Sequence, residues 1–196
     1  MILPPHPEPP PDLAKLRLPM CEMTADLWRI HPVGRTPLHF GRMAHHRFDA
    51  PHRDYGVLYV AAAAKGAFIE TFGQATGIRV LAAAELAQAA LCRITASRPL
   101  RLVDLTGSGL ARLGADARLT SANHEPARRW SAALHAHPDR VDGLTYRARH
   151  DPEQTCVALF ERCQDTLQPH AEGALLDAGL AAMVRELLAE YDFGLA

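Results

Sequence analysis

The sequence predicts an α+β fold, a mixed sheet flanked by helices, on three observations. Apolar runs of strand length recur along the chain, helical periodicities stand between them, and the two alternate without the regular period of βαβ units. Residues 26–30 (DLWRI) read as a strand, with Trp28 and Ile30 on one face and Leu27, Arg29 and His31 on the other. A stretch punctuated by Pro and Gly and dense in His and Arg, residues 32–55, leads to GVLYVA at 56–61, apolar on both faces and so a buried strand. AKGAFIETF at 64–72 follows, with Ala64, Ala67, Phe68, Thr71 and Phe72 at helical spacing. Residues 91–95, 100–105, 143–146 and 157–160 read as strands, and 82–90 and 125–137 as helices. In the last helix, residues 178–191, Leu180, Met183, Val184, Leu187, Leu188 and Tyr191 share one face. That face is expected to pack on the sheet or on a second subunit.

At 196 residues the chain suits one domain better than two. Residues 1–15 form a proline-rich leader (PPHPEPPP at 4–11), expected to be extended or flexible, with one domain over 16–196. A hydrophobic fraction of 48% and a formal charge of −1 describe an ordinary globular protein without the cationic excess of a general nucleic-acid binder. Direct nucleic-acid binding is therefore not expected, and scattered arginines are all that favour a DNA-binding regulator. The four cysteines form no CxxC pair and are too sparse for a disulfide scaffold, the pattern of reduced thiols in a cytoplasmic protein. The longest apolar run, 57–64, is far too short to cross a membrane, and no signal-peptide pattern opens the chain.

Several motifs carry little. Among 11 histidines, the adjacent His45 and His46 and the pair His135 and His137 lack partners at zinc-site spacing, so no metal site is expected. TGSGLARLG at 106–114 has its third glycine misplaced for a dinucleotide turn and reads better as a strand-to-helix loop. There is no GxSxG elbow and no recognisable cysteine nucleophile.

The stretch from Arg29 to Glu70 is richer. The guanidinium of Arg29 leaves the strand opposite the apolar pair Trp28 and Ile30, Tyr59 interrupts an aliphatic strand with a polar-tipped ring, and Glu70 lies one helical turn after the small residues Gly66 and Ala67. Such residues leave room beside the carboxylate for a ligand. Each also has a plain alternative: a surface ion pair, a core ring with a bonded hydroxyl, a solvated helix face.

Six blocks in order carry a resemblance over nearly the whole chain: LWRI (27–30), HRFDAP (46–51), YGVLYVAAAAKGAFIETFG (55–73), LRLVDLTG (100–107), DGLTYRARHD (142–151) and CVALFE (156–161). In these the chain resembles the RES domain family. The resemblance implies a fold like that of ADP-ribosyltransferases and a toxin that consumes NAD⁺ by hydrolysis, phosphorolysis or ADP-ribosyl transfer. It implies NAD⁺ as substrate rather than cofactor, and a cognate antitoxin, of Xre type, as partner; a homodimer is a further expectation. By the same resemblance Arg29, Tyr59 and Glu70 are catalytic, Arg29, Arg47 and Tyr59 bind NAD⁺, and Ala148 stands at an NAD-binding position where family members usually carry serine. The missing hydroxyl keeps a second reading open, a RES-fold binding module weakened in catalysis. Alternation places Ala148 on the face of Tyr146 and turns Arg147 and Arg149 away from it.

Overall fold

The computed structural model describes residues 5–196; the first four residues of the leader lie outside the described part. In chain order the elements are β1 (Met20–Met23), β2 (Leu27–Pro32), β3 (Val57–Ala61), α1 (Ala64–Phe72), β4 (Val80–Leu81), α2 (Ala83–Ala87), β5 (Ala89–Ala96), β6 (Leu100–Asp104), α3 (Ser108–Arg112), α4 (Arg118–Ser121), α5 (His124–His135), β7 (Gly143–Arg147), β8 (Thr155–Phe160), β9 (Leu167–Ala174), α6 (Ala181–Glu190) and β10 (Gly194–Leu195). The expected α+β class holds. Eight strands form one sheet in the order β1-β6-β7-β8-β3-β2-β5-β9, and β4 and β10 form a small second one. Within the large sheet only β6 and β7 run parallel, joined by the crossover that carries α3, α4 and α5.

The sheet is buried on both faces. Val57, Ala61, Leu144, Tyr146 and Phe160 point into a core closed by Trp130 and Leu134 of α5. Leu27, Leu58, Val60, Ile94 and Val157 point the other way, into a second core. A third cluster joins Phe68 of α1 and Leu91 of β5 to Val184 and Leu187 of α6. The apolar face of the last helix is thus spent inside the same chain.

One join in the sheet is weak. Strands β2 and β3 share a single paired position, Trp28 with Ala61, whereas β2 is paired to β5 from Leu27 to Pro32 and β3 to β8 from Val57 to Ala61. Beyond Trp28 the two strands therefore part, and the sheet opens as a fork.

Three sequence expectations need correction. Residues 82–90 do not form one helix: α2 ends at Ala87, and Ala89 and Ala90 pair with Pro32 and His31 of β2. Alanine favours a helix weakly, and a full ladder on a central strand outweighs that preference. Strand β9, eight residues long, is not foreseen because Pro169 and Gly173 interrupt it and half of its residues are exposed. It is an edge strand, where a missing N–H is tolerated. The described part of the leader closes into a 3-10 turn at Leu13–Lys15 and packs on the domain. Trp130 Nε1 donates to the Pro7 carbonyl at 2.9 Å, Arg129 holds Glu8 through two bonds of 2.6 Å, and Leu13 is buried in the main core.

At the end of α5, His135 stacks on Tyr55 with ring centroids 3.8 Å apart and meets Phe160 edge-on at 4.9 Å. Burial, with the nearby Arg162 charge second, lowers this imidazole to about 4. The unfolded chain therefore binds the proton more tightly than the folded one between about pH 6.5 and 4. Stability should fall as pH drops through that window, by on the order of 1–2 kcal/mol from this half-buried group. Thermal melts of the wild type and His135→Phe, which keeps the ring stack, check it: the variant should lose less stability on acidification.

Candidate active-site cleft

The fork opens into a cavity of about 490 Å³. Trp28, Arg29 and Ile30 line it from β2 and Tyr59, Val60 and Ala61 from β3, so both arms of the fork border it. Gly66, Ala67 and Glu70 of α1 form one wall; Arg47, His46, Thr120 and His124 form another; Tyr146, Arg149, His150 and Cys156 complete it. Arg29, Arg47, Tyr59 and Glu70, spread over more than forty positions of sequence, border one space. Ala148 does not. Its side chain is 2% exposed in the core beside Tyr146 and Cys156, and its N–H donates to the Gln154 carbonyl.

Tyr59 is fixed at its hydroxyl, which donates to Asp49 Oδ1 and accepts from the Phe48 N–H, both at 2.9 Å. Burial, and then the Asp49 charge, push its phenol well above the ordinary value, so it stays neutral. Asp49 is 1% exposed, and its Oδ2 also accepts from the N–H groups of His45 and His46 at 2.9 Å each. One buried carboxylate thus ties the loop bearing Arg47 to the strand bearing Tyr59. From the other side α5 grips the same loop through a helical stripe. His124 Nδ1 donates to the His45 carbonyl at 3.2 Å, Arg128 Nε to His46 at 3.0 Å and Ser131 Oγ to Phe48 at 2.7 Å. Residues 124, 128 and 131 lie on one helix face, so one element braces the loop at three carbonyls. Arg47, nearly buried, donates to the Ala122 carbonyl at 2.7 Å. Burial, and to a lesser extent the Arg149 charge, hold its pKa below the ordinary value against the opposing pull of Tyr146, Glu70 and Tyr59.

Glu70 is half-buried, and its Oε1 accepts from the Arg149 N–H at 3.0 Å. The expectation that Arg149 turns away assumed the strand continued. It ends at Arg147, whose side chain bonds Glu153 and Thr155 outside, and the chain then bends Arg149 back to the cleft. Gly66 does more than leave room: a Cβ there would stand 3.0 Å from that of Ala61, so glycine lets α1 approach β3 closely.

Arg29 borders the fork with its guanidinium on the Leu27 face, donating to the carbonyls of Pro37 at 2.6 Å and His39 at 3.2 Å. It does lie opposite Trp28 and Ile30, but that face is a second core rather than solvent. Burial lowers its pKa to about 10, so it stays charged at neutral pH. Neither histidine pair noted in the sequence gathers ligands: among the described residues no group of three or more His, Cys, Asp or Glu could hold a metal ion. His46 instead packs its ring on Tyr59, centroids 5.3 Å apart.

An α+β protein with a forked sheet and a cleft that gathers the Glu70 carboxylate of α1 with Arg29, Arg47 and Arg149 is the class these features define. A profile of the RES domain family matches residues 26–177, and the chain belongs to that family. A Sinorhizobium fredii protein described as "Probable toxin y4kH" is 34% identical over 95 residues, 48% of this chain and 74% of that protein. Among solved structures, a chain of the Mycobacterium tuberculosis MbcT–MbcA toxin–antitoxin complex superposes with a TM-score of 0.61 at 19% identity, covering 87% of this chain and 92% of that one. Among the described residues no helix is long and apolar enough to cross a membrane.

Proposed function

We propose that this protein breaks the bond between nicotinamide and ribose in NAD⁺ and acts as the toxin of a toxin–antitoxin pair. The observation that carries the proposal is Glu70, held at one oxygen by the Arg149 N–H and bordering a cavity also lined by Arg29, Arg47 and Arg149. As the C–N bond breaks, its electron pair leaves with nicotinamide and positive charge develops on the ribose. A fixed carboxylate stabilises that charge, and its second oxygen can accept from a ribose hydroxyl. Arg47 supplies a positive fork for the diphosphate, supported by Arg149 nearby and by Arg29 at the base of the fork. Tyr59, neutral and locked at its hydroxyl, offers a ring face on which nicotinamide can stack. An acceptor oxygen then bonds to the ribose carbon and gives up its proton. Water, phosphate and a protein group are the candidate acceptors.

The toxin role and an antitoxin partner are supported by family membership and by the relatives' printed descriptions, and the Xre type of that antitoxin is what the family resemblance implies. The second reading, a module that binds the nucleotide without turning it over, rests on the replacement of the family serine by Ala148, which sits in the core beside the cleft. Purified protein incubated with NAD⁺, with and without phosphate, separates the two. Released nicotinamide is expected, with ADP-ribose or its 1-phosphate as the other product. Intact NAD⁺ in both mixtures and in a third containing cell protein, with binding retained, would establish the module instead.

A further inference from the structure

His46, one of the adjacent histidines that gather no metal ligands, is exposed and adds nothing to the core, yet its position is closely set. It borders the cleft. Its N–H donates to Asp49 Oδ2 at 2.9 Å, and its carbonyl accepts from Arg128 Nε at 3.0 Å. Its imidazole lies against the ring of Tyr59, with centroids 5.3 Å apart and planes tilted by 59°. Among the described residues neither nitrogen of that imidazole has a hydrogen-bond or ion-pair partner. Two rings at such a tilt make a corner and not a stack. A flat ring laid on one of them meets the other at its edge, an arrangement aromatic groups favour. The Tyr59 hydroxyl is taken up by Asp49 and Phe48, so what Tyr59 offers the cleft is its ring. Asp49 sets both sides of the corner, holding Tyr59 through Oδ1 and the backbone of His46 through Oδ2.

We infer that His46 is the second ring of the nicotinamide seat, in contact with the base while Tyr59 contacts it from the other side of the corner. The inference rests on the NAD⁺ reading of this cleft. It adds a residue that recognises the base, where Glu70 serves the ribose and the arginines serve the diphosphate.

The test compares two ligands that differ in the base. NADH carries the nicotinamide ring in its reduced, uncharged form, which is a poor leaving group, and ADP-ribose lacks the ring altogether. Both stay intact, so binding is read whether or not the protein turns NAD⁺ over. His46→Ala keeps the backbone bonds to Asp49 and Arg128 and removes only the imidazole. Calorimetry should show it binding NADH about fivefold more weakly than wild type, the size of one aromatic contact. ADP-ribose should bind both proteins alike. His46→Phe, which keeps a ring in place, should bind NADH within about twofold of wild type. Equal NADH affinity in wild type and His46→Ala would overturn the inference while leaving the NAD⁺ reading intact. Equal losses for NADH and ADP-ribose would overturn it too, placing adenine in the corner or showing a disturbed loop. A loss in His46→Phe as large as in His46→Ala would exclude the ring contact. If wild type releases no nicotinamide and binds neither NAD⁺ nor ADP-ribose, the NAD⁺ reading itself falls and takes this inference with it.

Discussion

Glu70→Gln should lower nicotinamide release by on the order of 10²–10³ while changing NAD⁺ affinity little. The substitution keeps the side chain's shape and a carbonyl oxygen that can still accept from the Arg149 N–H, so the wall of the cleft stays built. What it removes is the negative charge, and the positive charge it opposes develops on the ribose only as the glycosidic bond stretches. Ground-state binding should therefore survive. Arg47→Ala should behave in the opposite way, because the diphosphate is as charged in the bound substrate as in the transition state; its loss should appear mainly as weaker binding. Single-turnover rates and calorimetric affinities on the two variants check both. A Glu70→Gln protein that turns over at the wild-type rate would exclude the carboxylate from the chemistry.

The parts of the site legible in the sequence were those carried by regular elements. Helix α1 runs from Ala64 to Phe72 as its spacing predicts, and β2 keeps Trp28 and Ile30 opposite Leu27, so both elements present the residues expected of them. The parts that were not legible depend on chain segments far apart in sequence. Asp49 sits two residues after Arg47 in HRFDAP, yet its task appears only when Tyr59 is brought within 2.9 Å. The stripe His124, Arg128 and Ser131 gives no local sign that it will grip three carbonyls some 80 residues earlier. Arg149 was misplaced for a simpler reason: alternation holds only inside a strand, and β7 stops two residues before it. The weak β2–β3 join, which creates the cavity, is a matter of register and leaves no mark in composition.

Removing residues 178–196 should abolish the folded state. Val184 and Leu187 of α6, 4% and 6% exposed, cover Phe68, Leu86 and Leu91, which are 0%, 0% and 1% exposed in the intact protein. Tyr191 and Phe193 add two more rings against Phe68. Uncovering a buried Leu or Phe costs about 1.5–3 kcal/mol, and several together are comparable with the whole net stability of about 5–15 kcal/mol typical of such a domain. Because this face is filled within the chain, the expected result is loss of the cooperative melt, not the mere dissociation of an oligomer. Circular dichroism on heating, read beside the molar mass in solution, distinguishes the two. A milder variant, Tyr191→Phe, removes only the bond to Asp151 and keeps the ring packing. It should remain folded, with a loss of stability of about 1 kcal/mol. A truncated chain that melts cooperatively at the wild-type temperature would mean that the third cluster contributes nothing to holding α1, and with it Glu70, against the sheet.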